Sequence, residues 1–491
     1  MATRSRRVSL VVVPATSMHR SKHIPPNVTA LAKVTIHGRR LHGTVMPPTS
    51  LKRISSTDRD VSPPPSKRRL ATTTTSSAVS NFFKPVSQKE PDNITFQTLH
   101  STLLHARHRK ALDPDQNRPR KIAAFDFDDT LVTTKSGNKF SRGPDDWRWR
   151  HSTVPARLKQ LHDDGYTIVV VSNQAAVSLR TDTKTPKDGM KSFNNLKGKV
   201  SAVLNALDLP IMMYAATEHD LFRKPRTGMW EQILKDHGLI DPVDVDHQRC
   251  IFVGDAAGRE ADKSSGFRKD HSCCDRDFAS NVGIPFHTPE EYFLGEAARP
   301  FQRPFDPHTY LDVDSTAQTD APAVVFTKKH DVDIVLFCGS PGAGKSTLYW
   351  RRMQPLGYER VNQDILKTRE RCMRSAAAYV EEGKPVVVDN TNADIETRAS
   401  WVTLARQLKV PIYLVHFTAP ARLCEHNNTV RALTGKMNPE NRDLLPKVAF
   451  TGFASRYREP RVEEGFEDIT RIDFKFEGSD EDKATWSKFW I

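Results

Sequence analysis

Two carboxylates lie two residues apart in Phe125-Asp126-Phe127-Asp128-Asp129-Thr130, directly after a short apolar run. Alternate residues of an extended segment face the same way, so Asp126 and Asp128 can converge on one metal ion and one phosphate. Such a pair can divide the work, because Asp126 can attack phosphorus while Asp128 gives a proton to the leaving oxygen. The hexapeptide by itself predicts a capped turn after a strand equally well.

Three further polar segments follow in order, each at the predicted end of a strand or in a loop. Ser172 and Asn173 offer a hydroxyl and an amide for phosphate oxygens, Lys224 offers a cation, and Asp255 offers another carboxylate. Phosphoryl transfer needs a nucleophile, a cation that neutralises charge, oxygen ligands for Mg²⁺ and a hydroxyl donor. The four segments together therefore predict a phosphatase site that holds a magnesium ion.

The four segments resemble the motifs of the haloacid dehalogenase-like phosphatases, with Asp126/Asp128, Ser172, Lys224 and Asp255 at the matching positions. The last motif of that family usually carries a second acidic residue close to the first. Here residues 258–272 look inserted, and Asp275 is the candidate for the second acid and fourth metal ligand.

The spacing of the motifs bears on the size of the substrate. Only 41 residues separate the first motif from Ser172, and 49 separate Gln174 from Lys224, which leaves little room for a cap domain. An uncapped site can admit the end of a macromolecule. Trp147 and Trp149 could stack on bases there while Arg148 and Arg150 contact phosphates, although a buried aromatic pair is the commoner explanation of such a pattern.

A second motif with a specific chemistry follows the apolar run Ile334–Cys338 and satisfies GxxxxGK[ST]. Its glycines let backbone N–H groups wrap the phosphates of ATP, while Lys345 reaches the β- and γ-phosphates and the Ser346 hydroxyl ligates Mg²⁺. The residues predicted to hold the nucleotide are Gly339, Pro341, Gly342, Ala343, Gly344, Lys345, Ser346 and Thr347.

Three later residues complete the prediction of a kinase. Asp389 ends the apolar run Val386–Val388, as expected of a second acid beside the magnesium ion. Asp364 could deprotonate an acceptor hydroxyl, or could equally cap a helix. Arg431 lies on a predicted helical lid, where it could stabilise transition-state charge or be an ordinary exposed arginine.

A phosphatase followed by a P-loop kinase is similar to the bifunctional polynucleotide kinase 3′-phosphatases of eukaryotic DNA repair. The resemblance covers about residues 97–491 and includes the more particular stretches 223–230, 253–259 and 389–392. It implies that DNA strand-break termini are the substrate, with 3′-phosphates removed through an aspartyl-phosphate on Asp126 and 5′-hydroxyls phosphorylated by ATP. It also implies that Asp364 is the kinase base and that Arg431 aids transfer. We expect a monomer.

Two features depart from that family. Animal members carry an N-terminal forkhead-associated domain that docks phosphorylated repair scaffolds, and residues 1–95 are too short and too polar to supply one. Gln363 stands where a basic residue is expected beside the kinase base, so contacts to the DNA strand there are expected to differ.

The elements that must position these residues are short apolar runs separated by polar helical stretches, which is typical of buried parallel strands. We therefore predict two three-layer α/β/α domains, a phosphatase over residues 96–300 and a kinase over residues 331–491. A Pro-containing linker, residues 301–330, would join them.

Residues 1–95 are expected to form a disordered basic tail, because they lack apolar periodicity and hold 16 Lys and Arg against 4 Asp and Glu of a chain whose net charge is +14. Lys67-Arg68-Arg69 could be a nuclear import signal, although a solvated run of charges explains the same residues almost as well. The absence of acidic residues before residue 58 also fits import into mitochondria, which stays open. Val79, Phe82 and Phe83 resemble the motif by which repair proteins bind a sliding clamp, against a chance aromatic pair.

Composition excludes other classes of protein. The six cysteines show no CxxC spacing, which indicates neither a zinc site nor a disulfide framework, and no apolar run reaches the roughly 18 residues of a membrane span.

Three alternative functions remain: an RNA end-healing enzyme, a kinase and phosphatase of small metabolites, and a repair scaffold with decayed sites. The first lacks paired His-x-Thr or His-x-Ser signatures, the uncapped site opposes the second, and the intact motif residues oppose the third.

Overall fold

The computed structural model describes residues 93–108, 120–179, 186–264, 266–311, 326–435 and 437–491, without the side chains of residues 186–189. All of these residues belong to one compact unit. The predicted import signal and the predicted clamp-binding residues Val79, Phe82 and Phe83 lie outside the described residues. Within the described ranges, no helix is both long enough and apolar enough to cross a membrane.

The first half of the unit is built on a seven-stranded sheet and a small two-stranded hairpin. In chain order the strands are β1 (Ile94–Leu99), β2 (Leu103–His108), β3 (Lys121–Phe125), β4 (Val132–Thr133), β5 (Arg148–Trp149), β6 (Tyr166–Asn173), β7 (Ile211–Ala216), β8 (Ile251–Val253) and β9 (Phe286–His287). The large sheet has the order β1-β2-β7-β6-β3-β8-β9, and β4 pairs with β5. The five strands β7, β6, β3, β8 and β9 run parallel to one another. At one edge, β1 and β2 form an antiparallel hairpin, and β2 pairs with β7 in the antiparallel sense.

Four helices cover the two faces of this sheet: α1 (Val154–Asp163), α2 (Pro186–Leu207), α3 (Gly228–Asp236) and α4 (Cys274–Val282). Successive strand residues point to opposite faces, so neighbouring valines of β6 enter different cores. Val170 packs in the cluster that contains α1 and α2, and Val169 packs in the cluster that contains α3 and α4. From β3 the chain continues to β6 and β7, which lie on one side of β3 in the sheet, and then returns to β8, which lies on the other side of β3. The carboxyl ends of β3 and β8 therefore flank a topological switch point, where ligands of such sheets bind.

The second half is built on a parallel five-stranded sheet. Its strands are β10 (Ile334–Cys338), β11 (Glu359–Val361), β12 (Val386–Val388), β13 (Ile412–Phe417) and β14 (Ile469–Ile472), and its helices are α5 (Lys345–Leu348), α6 (Gln363–Leu366), α7 (Arg369–Glu381), α8 (Ile395–Leu408), α9 (Ala421–Thr434), α10 (Lys447–Arg456) and α11 (Asp480–Trp486). The strand order is β11-β12-β10-β13-β14. Leu336 and Phe337 of β10 again enter different cores, so both faces of the sheet are covered.

The prediction of two three-layer α/β/α units is confirmed, and each named apolar run contributes to a strand. The antiparallel hairpin β1-β2 was not predicted, and it makes the first sheet mixed rather than wholly parallel. Residues 301–311, placed in the predicted linker, are packed: Arg303 donates to Asp277 Oδ1 of α4 at 2.7 Å, and Phe305 is buried against Leu423 and Trp486. Residues 312–325 lie outside the described part of the chain.

Candidate active sites

Asp126 follows β3 directly and lies buried at the carboxyl edge of the first sheet. The ammonium of Lys224 donates to Asp126 Oδ1 at 2.7 Å and to the carbonyl of Val171 at 2.7 Å, and it lies 2.8 Å from Asp275 Oδ1. Lys224 is 3% exposed. One buried cation therefore joins two of the carboxylates that the sequence predicted to act together.

A group of three carboxylates surrounds this point. One oxygen each from Asp126, Asp255 and Asp275 lies within 4.8 Å of the others. Burial raises the pKa of Asp126 to about 7, against the lowering by Lys224, and the charge of Asp275 adds to the rise. Burial, followed by repulsion from Asp126 and Asp275, raises the pKa of Asp255 well above its usual range. Three crowded oxygen donors with one nearby ammonium fit a divalent cation such as Mg²⁺, which would relieve their repulsion.

Close packing fixes the second acid of the last motif. Asp275, the third residue of the group, accepts the N–H of Ala256 at 3.0 Å from the first turn of α4. A β-carbon on Gly254 would collide with the Asp275 carboxylate, so the strand end can approach the helix only because residue 254 is glycine. The insertion that separates Asp255 from Asp275 in the sequence thus leaves both carboxylates at one point.

Asp128 does not join this group of three carboxylates, so its assignment as a metal ligand stays a prediction that the geometry does not support. Its Oδ1 accepts from Lys199 at 2.6 Å and its Oδ2 accepts from Gln174 at 2.7 Å, while half of the side chain faces solvent. The chain bends at Phe127, directly after β3, and Asp128 forms a bridge with Val132, so the alternation of an extended segment does not hold from Asp126 to Asp128. An exposed carboxylate held by a lysine and an amide remains able to exchange a proton with substrate.

Asn173 was predicted to offer its amide to a phosphate, but the structure commits both ends of that amide to the backbone of Lys224. Its Oδ1 accepts the Lys224 N–H at 2.9 Å, and its Nδ2 donates to the Lys224 carbonyl at 3.1 Å. Asn173 therefore fixes the backbone of Lys224, the lysine that the sequence predicted to be catalytic. Ser172 keeps its predicted place, with its hydroxyl accepting from Gln174 Nε2 at 3.0 Å.

Two residues that the sequence did not assign, Lys199 and Gln174, hold Asp128. Gln174 directly follows the predicted phosphate residues, but Lys199 lies on α2, 71 residues from its partner, and no local pattern marks it. The predicted stacking pair also has a clear place: Trp147 and Trp149 pack edge to face at 5.1 Å against the apolar core, as the commoner explanation held.

The glycine-rich loop after β10 has the conformation that phosphate binding requires. Gly342 and Gly344 have φ angles of 78° and 95°, which side chains rarely adopt. A β-carbon on Gly342 would also collide with the carbonyl of Cys424. The Lys345 ammonium donates to the carbonyls of Gly339 at 3.0 Å and Ser340 at 2.6 Å, folding back along the loop.

Ser346 and Asp389, both predicted to bind magnesium, lie together beneath this loop. The Ser346 hydroxyl donates to Asp389 Oδ2 at 2.8 Å. Arg360, on β11, donates to the same carboxylate oxygen from Nε at 2.8 Å and to the Ser346 hydroxyl at 3.1 Å. A hydroxyl and a carboxylate at the carboxyl ends of adjacent strands are oxygen donors that fit Mg²⁺ beside a bound nucleotide.

Asp364 lies on the first turn of α6 with its side chain 76% exposed, 3.2 Å from Arg442. The helix-cap alternative is wrong, because Asn362 is the cap and accepts the Asp364 N–H at 2.8 Å. Arg431 is part-buried rather than exposed, and it donates to Asn428 at 2.9 Å. Burial lowers the pKa of Arg431, and its charge interacts with those of Asp364 and Asp389. An exposed carboxylate beside two arginines can accept a proton from a hydroxyl of a bulky acceptor.

Three further side chains complete the second site, and the sequence did not assign them. Arg442 donates to Glu440 Oε2 at 2.6 Å, and Glu440 accepts from Arg360 at 2.7 Å on its other oxygen. The network places three charged side chains between Asp364 and Asp389. Arg360 lies on β11, four residues before Asp364, so its place in the sequence could have suggested it. Glu440 and Arg442 come from a loop that carries no local signal.

Comparison with protein families gives two matches along the chain. The family described as polynucleotide kinase 3 phosphatase matches residues 121–293, and the family described as AAA domain matches residues 334–460. The first span contains Asp126, Asp255 and Asp275, and the second contains the glycine-rich loop. Each candidate site therefore falls inside one of the matched spans.

Comparison with characterised proteins finds relatives along most of the chain. A bifunctional polynucleotide phosphatase/kinase of Schizosaccharomyces pombe is 39% identical over 76% of this chain and 84% of its own length. A putative bifunctional polynucleotide phosphatase/kinase of Acanthamoeba polyphaga mimivirus is 29% identical over 77% of this chain and 90% of its own length. A polynucleotide 3′-phosphatase of Saccharomyces cerevisiae is 27% identical over 38% of this chain and 92% of its own length.

Proposed function

Because the chain belongs to the bifunctional polynucleotide phosphatase/kinases, we propose that it repairs DNA strand breaks by removing 3′-phosphates and phosphorylating 5′-hydroxyls, which makes the ends ligatable. One observation carries the proposal: a single compact unit holds a carboxylate nucleophile paired with a buried lysine and, separately, a nucleotide-binding loop with a solvent-facing carboxylate. Ligation requires a 3′-hydroxyl and a 5′-phosphate, so the two reactions serve one purpose.

In the phosphatase reaction, the carboxylate of Asp126 attacks the phosphorus of the 3′-phosphate, and the bond from phosphorus to the 3′-oxygen breaks. Asp128 in its protonated form gives its proton to the departing 3′-oxygen. Water then attacks the phosphorus of the aspartyl-phosphate, gives its proton to Asp128 and releases inorganic phosphate and the Asp126 carboxylate. Lys224 balances the charge that accumulates on the phosphoryl oxygens.

In the kinase reaction, Asp364 takes the proton of the 5′-hydroxyl, whose oxygen attacks the γ-phosphorus of ATP. The bond from that phosphorus to the bridging oxygen breaks, and ADP leaves. Lys345, Arg431 and Arg442 would balance the charge on the moving phosphoryl group. The 76% exposure of Asp364 suits an acceptor as large as a polynucleotide end.

We propose Mg²⁺ as the metal at both sites and ATP as the phosphoryl donor. Asp126, Asp255 and Asp275 would hold the first ion, and Ser346 with Asp389 would hold the second. The bound ion would supply positive charge next to the phosphoryl oxygens, which lowers the repulsion that an anionic nucleophile meets.

The test uses a nicked DNA duplex with a 3′-phosphate and a 5′-hydroxyl, incubated with Mg²⁺ and the purified full chain, with and without ATP. We expect release of the 3′-phosphate in both cases and labelling of the 5′ end only with ATP. Asp126→Asn should lose only the first activity, and Lys345→Ala only the second. Each variant is thereby the folding control for the other.

A nick made in an RNA strand is the arm that tests the alternative substrate. If the chain processes RNA ends at least as fast as DNA ends, the assignment to DNA breaks is wrong while the two chemistries stand. If neither end of either nucleic acid changes and small phosphate esters react instead, the polynucleotide assignment fails altogether.

We further propose that the N-terminal region directs the enzyme to nuclear DNA. We also propose that the enzyme acts as a monomer. The support is in the sequence: Lys67-Arg68-Arg69 is a basic cluster, and Val79, Phe82 and Phe83 have the spacing of a clamp-binding motif. Exchange of both phenylalanines for alanine should abolish binding to an immobilised sliding clamp without changing either activity. Unchanged binding would remove the clamp proposal, and exclusive mitochondrial localisation of the tagged full chain would remove the nuclear one.

A further inference from the structure

Arg259 lies four residues after the metal-site carboxylate Asp255, and its side chain is 3% exposed. Its guanidinium uses all three nitrogens. One Nη donates to the Asp255 carbonyl at 3.0 Å and to Asp270 Oδ1 at 3.1 Å, and Nε donates to Asp270 Oδ2 at 2.8 Å. The other Nη donates to Glu290 Oε2 at 2.6 Å. One buried side chain thus holds the Asp255 loop, the insertion and the turn after β9.

Glu290 continues this contact toward the other side of the site. Its second oxygen, Oε1, accepts from Arg150 at 3.0 Å, so the two carboxylate oxygens bind two different arginines. Arg150 directly follows β5, and its backbone N–H donates to the carbonyl of Leu131 at 2.9 Å. Leu131 lies between Asp128 and β4. The β4-β5 hairpin, which follows the segment of Asp126 and Asp128, is therefore connected to the backbone of Asp255 through three side chains, those of Arg150, Glu290 and Arg259.

We propose that Arg259 and Glu290 are positioning residues, which hold the metal-binding loop of Asp255 and the β4-β5 hairpin in one fixed relation. Neither side chain belongs to the carboxylate group itself. Arg259 sets the backbone from which Asp255 projects, and the Glu290–Arg150 pair sets the hairpin that follows the segment of Asp126 and Asp128. The proposal rests on the phosphatase function proposed above.

The chemistry of arginine explains why this position needs it. A guanidinium offers a planar fork of donors that satisfies a bidentate carboxylate, a second carboxylate and a carbonyl at once, whereas a lysine ammonium is a point charge on a flexible stem. Arg259→Lys keeps the positive charge but cannot reach all three partners. Loss of such supporting contacts behind a metal ligand typically costs about 10- to 100-fold in metal affinity or activity.

The experiment compares Arg259→Lys, Glu290→Gln and Arg150→Ala in the full chain. Phosphatase kcat and KM are measured with a 3′-phosphate oligonucleotide, and kinase activity reports folding. Metal binding is measured without turnover, as the Mg²⁺ concentration at which beryllofluoride, a mimic of the phosphoryl group, raises the melting temperature. Asp126→Asn should show no rise, which identifies the signal as that of the phosphatase site.

Arg259→Lys should lower kcat and raise the Mg²⁺ midpoint by about tenfold or more. Arg150→Ala should leave kcat and the Mg²⁺ midpoint within about twofold and raise KM by about two- to fivefold, the range of a part-exposed ion pair. Glu290→Gln should show both effects. The Arg150→Ala/Glu290→Gln double variant should have the KM of Glu290→Gln alone, since both changes break the same contact.

Additive changes in KM would mean that Arg150 contacts DNA independently of Glu290, which would overturn the hairpin part of the proposal. A wild-type Mg²⁺ midpoint in Arg259→Lys would overturn the metal-loop part. If Arg259→Lys loses kinase activity as well, it has unfolded, and Glu290→Gln then decides the question. A wild-type protein with no phosphatase activity and no beryllofluoride response would instead refute the proposed function.

Discussion

Replacement of Asn173 by alanine tests how the structure holds Lys224, the lysine proposed to be catalytic. The amide makes two hydrogen bonds to the backbone of Lys224, at 2.9 and 3.1 Å, and each contributes about 1 kcal/mol net. Loss of both bonds should raise the free energy of the native Lys224 position by about 2 kcal/mol relative to displaced arrangements of its loop. Since 1.36 kcal/mol corresponds to a factor of ten, the productive state would be populated about 30-fold less.

The assay separates positioning from binding. In Asn173→Ala, we expect phosphatase kcat to fall by about 30-fold while KM for a 3′-phosphate oligonucleotide stays within about twofold, because the lost contacts are to protein and not to substrate. Kinase activity should not change. Ser172→Ala is the matched comparison, since its hydroxyl remains free to donate to a phosphate, and it should raise KM. If Asn173→Ala instead raises KM at constant kcat, its amide binds phosphate and the reading of the structure is wrong.

Three shorter predictions concern the kinase half. Arg398 is fully buried, forms a two-point pair with Glu464 at 2.7 Å and donates to three carbonyls, so Arg398→Ala should destabilise this half by about 3–5 kcal/mol in urea unfolding, and a change below about 1 kcal/mol would contradict the pairing. Burial lowers the pKa of His426 from 6.5 to about 4, so the unfolded chain binds a proton between these values that the folded chain does not, and stability should fall as the pH falls through that window, by about 3 kcal/mol in all. Urea unfolding of wild type and His426→Gln at pH 7 and pH 5 checks this, because the substitution should remove about 2 kcal/mol of the difference in stability between the two pH values. Gly342→Ala should abolish kinase activity and ATP binding while the phosphatase persists, because its β-carbon would meet the Cys424 carbonyl; normal ATP binding by calorimetry would refute this.

Both sheets could be predicted from the sequence because their strands are buried on two faces and read as continuous apolar runs. The β1-β2 hairpin could not be predicted, since only Ile94 of the six residues of β1 is buried and the pairing of β2 with β7 joins distant parts of the chain. Length and hydropathy specify which segments form strands, but edge position depends on contacts that no local window contains.

The candidate sites divide along the same line. Residues at strand ends, such as Asp126, Asp255 and Asp389, could be placed because parallel strands bring their carboxyl ends to one edge. The orientation of a side chain after a strand could not be predicted: the chain bends at Phe127, and Asp128 lies apart from the three grouped carboxylates. Supporting residues such as Arg259 could not be predicted either. Their role is defined by three-dimensional contacts, and residues of the same type occur throughout the chain.

The charges of the two sites differ in the way that their reactions require. A carboxylate nucleophile is an anion that must approach an anionic phosphate, so the proposed phosphatase site combines carboxylates with a buried lysine, and the proposed Mg²⁺ would add further positive charge. The kinase nucleophile is a neutral hydroxyl and its donor is a polyanion, so cations dominate there. In the first site, three carboxylates surround one lysine: Asp126, Asp255 and Asp275 around Lys224. In the second site, four cations surround three carboxylates: Lys345, Arg360, Arg431 and Arg442 around Asp389, Glu440 and Asp364. Exchange of one site's residues into the other would oppose its chemistry, which explains why two reactions on neighbouring ends of one break use two separate sites rather than one.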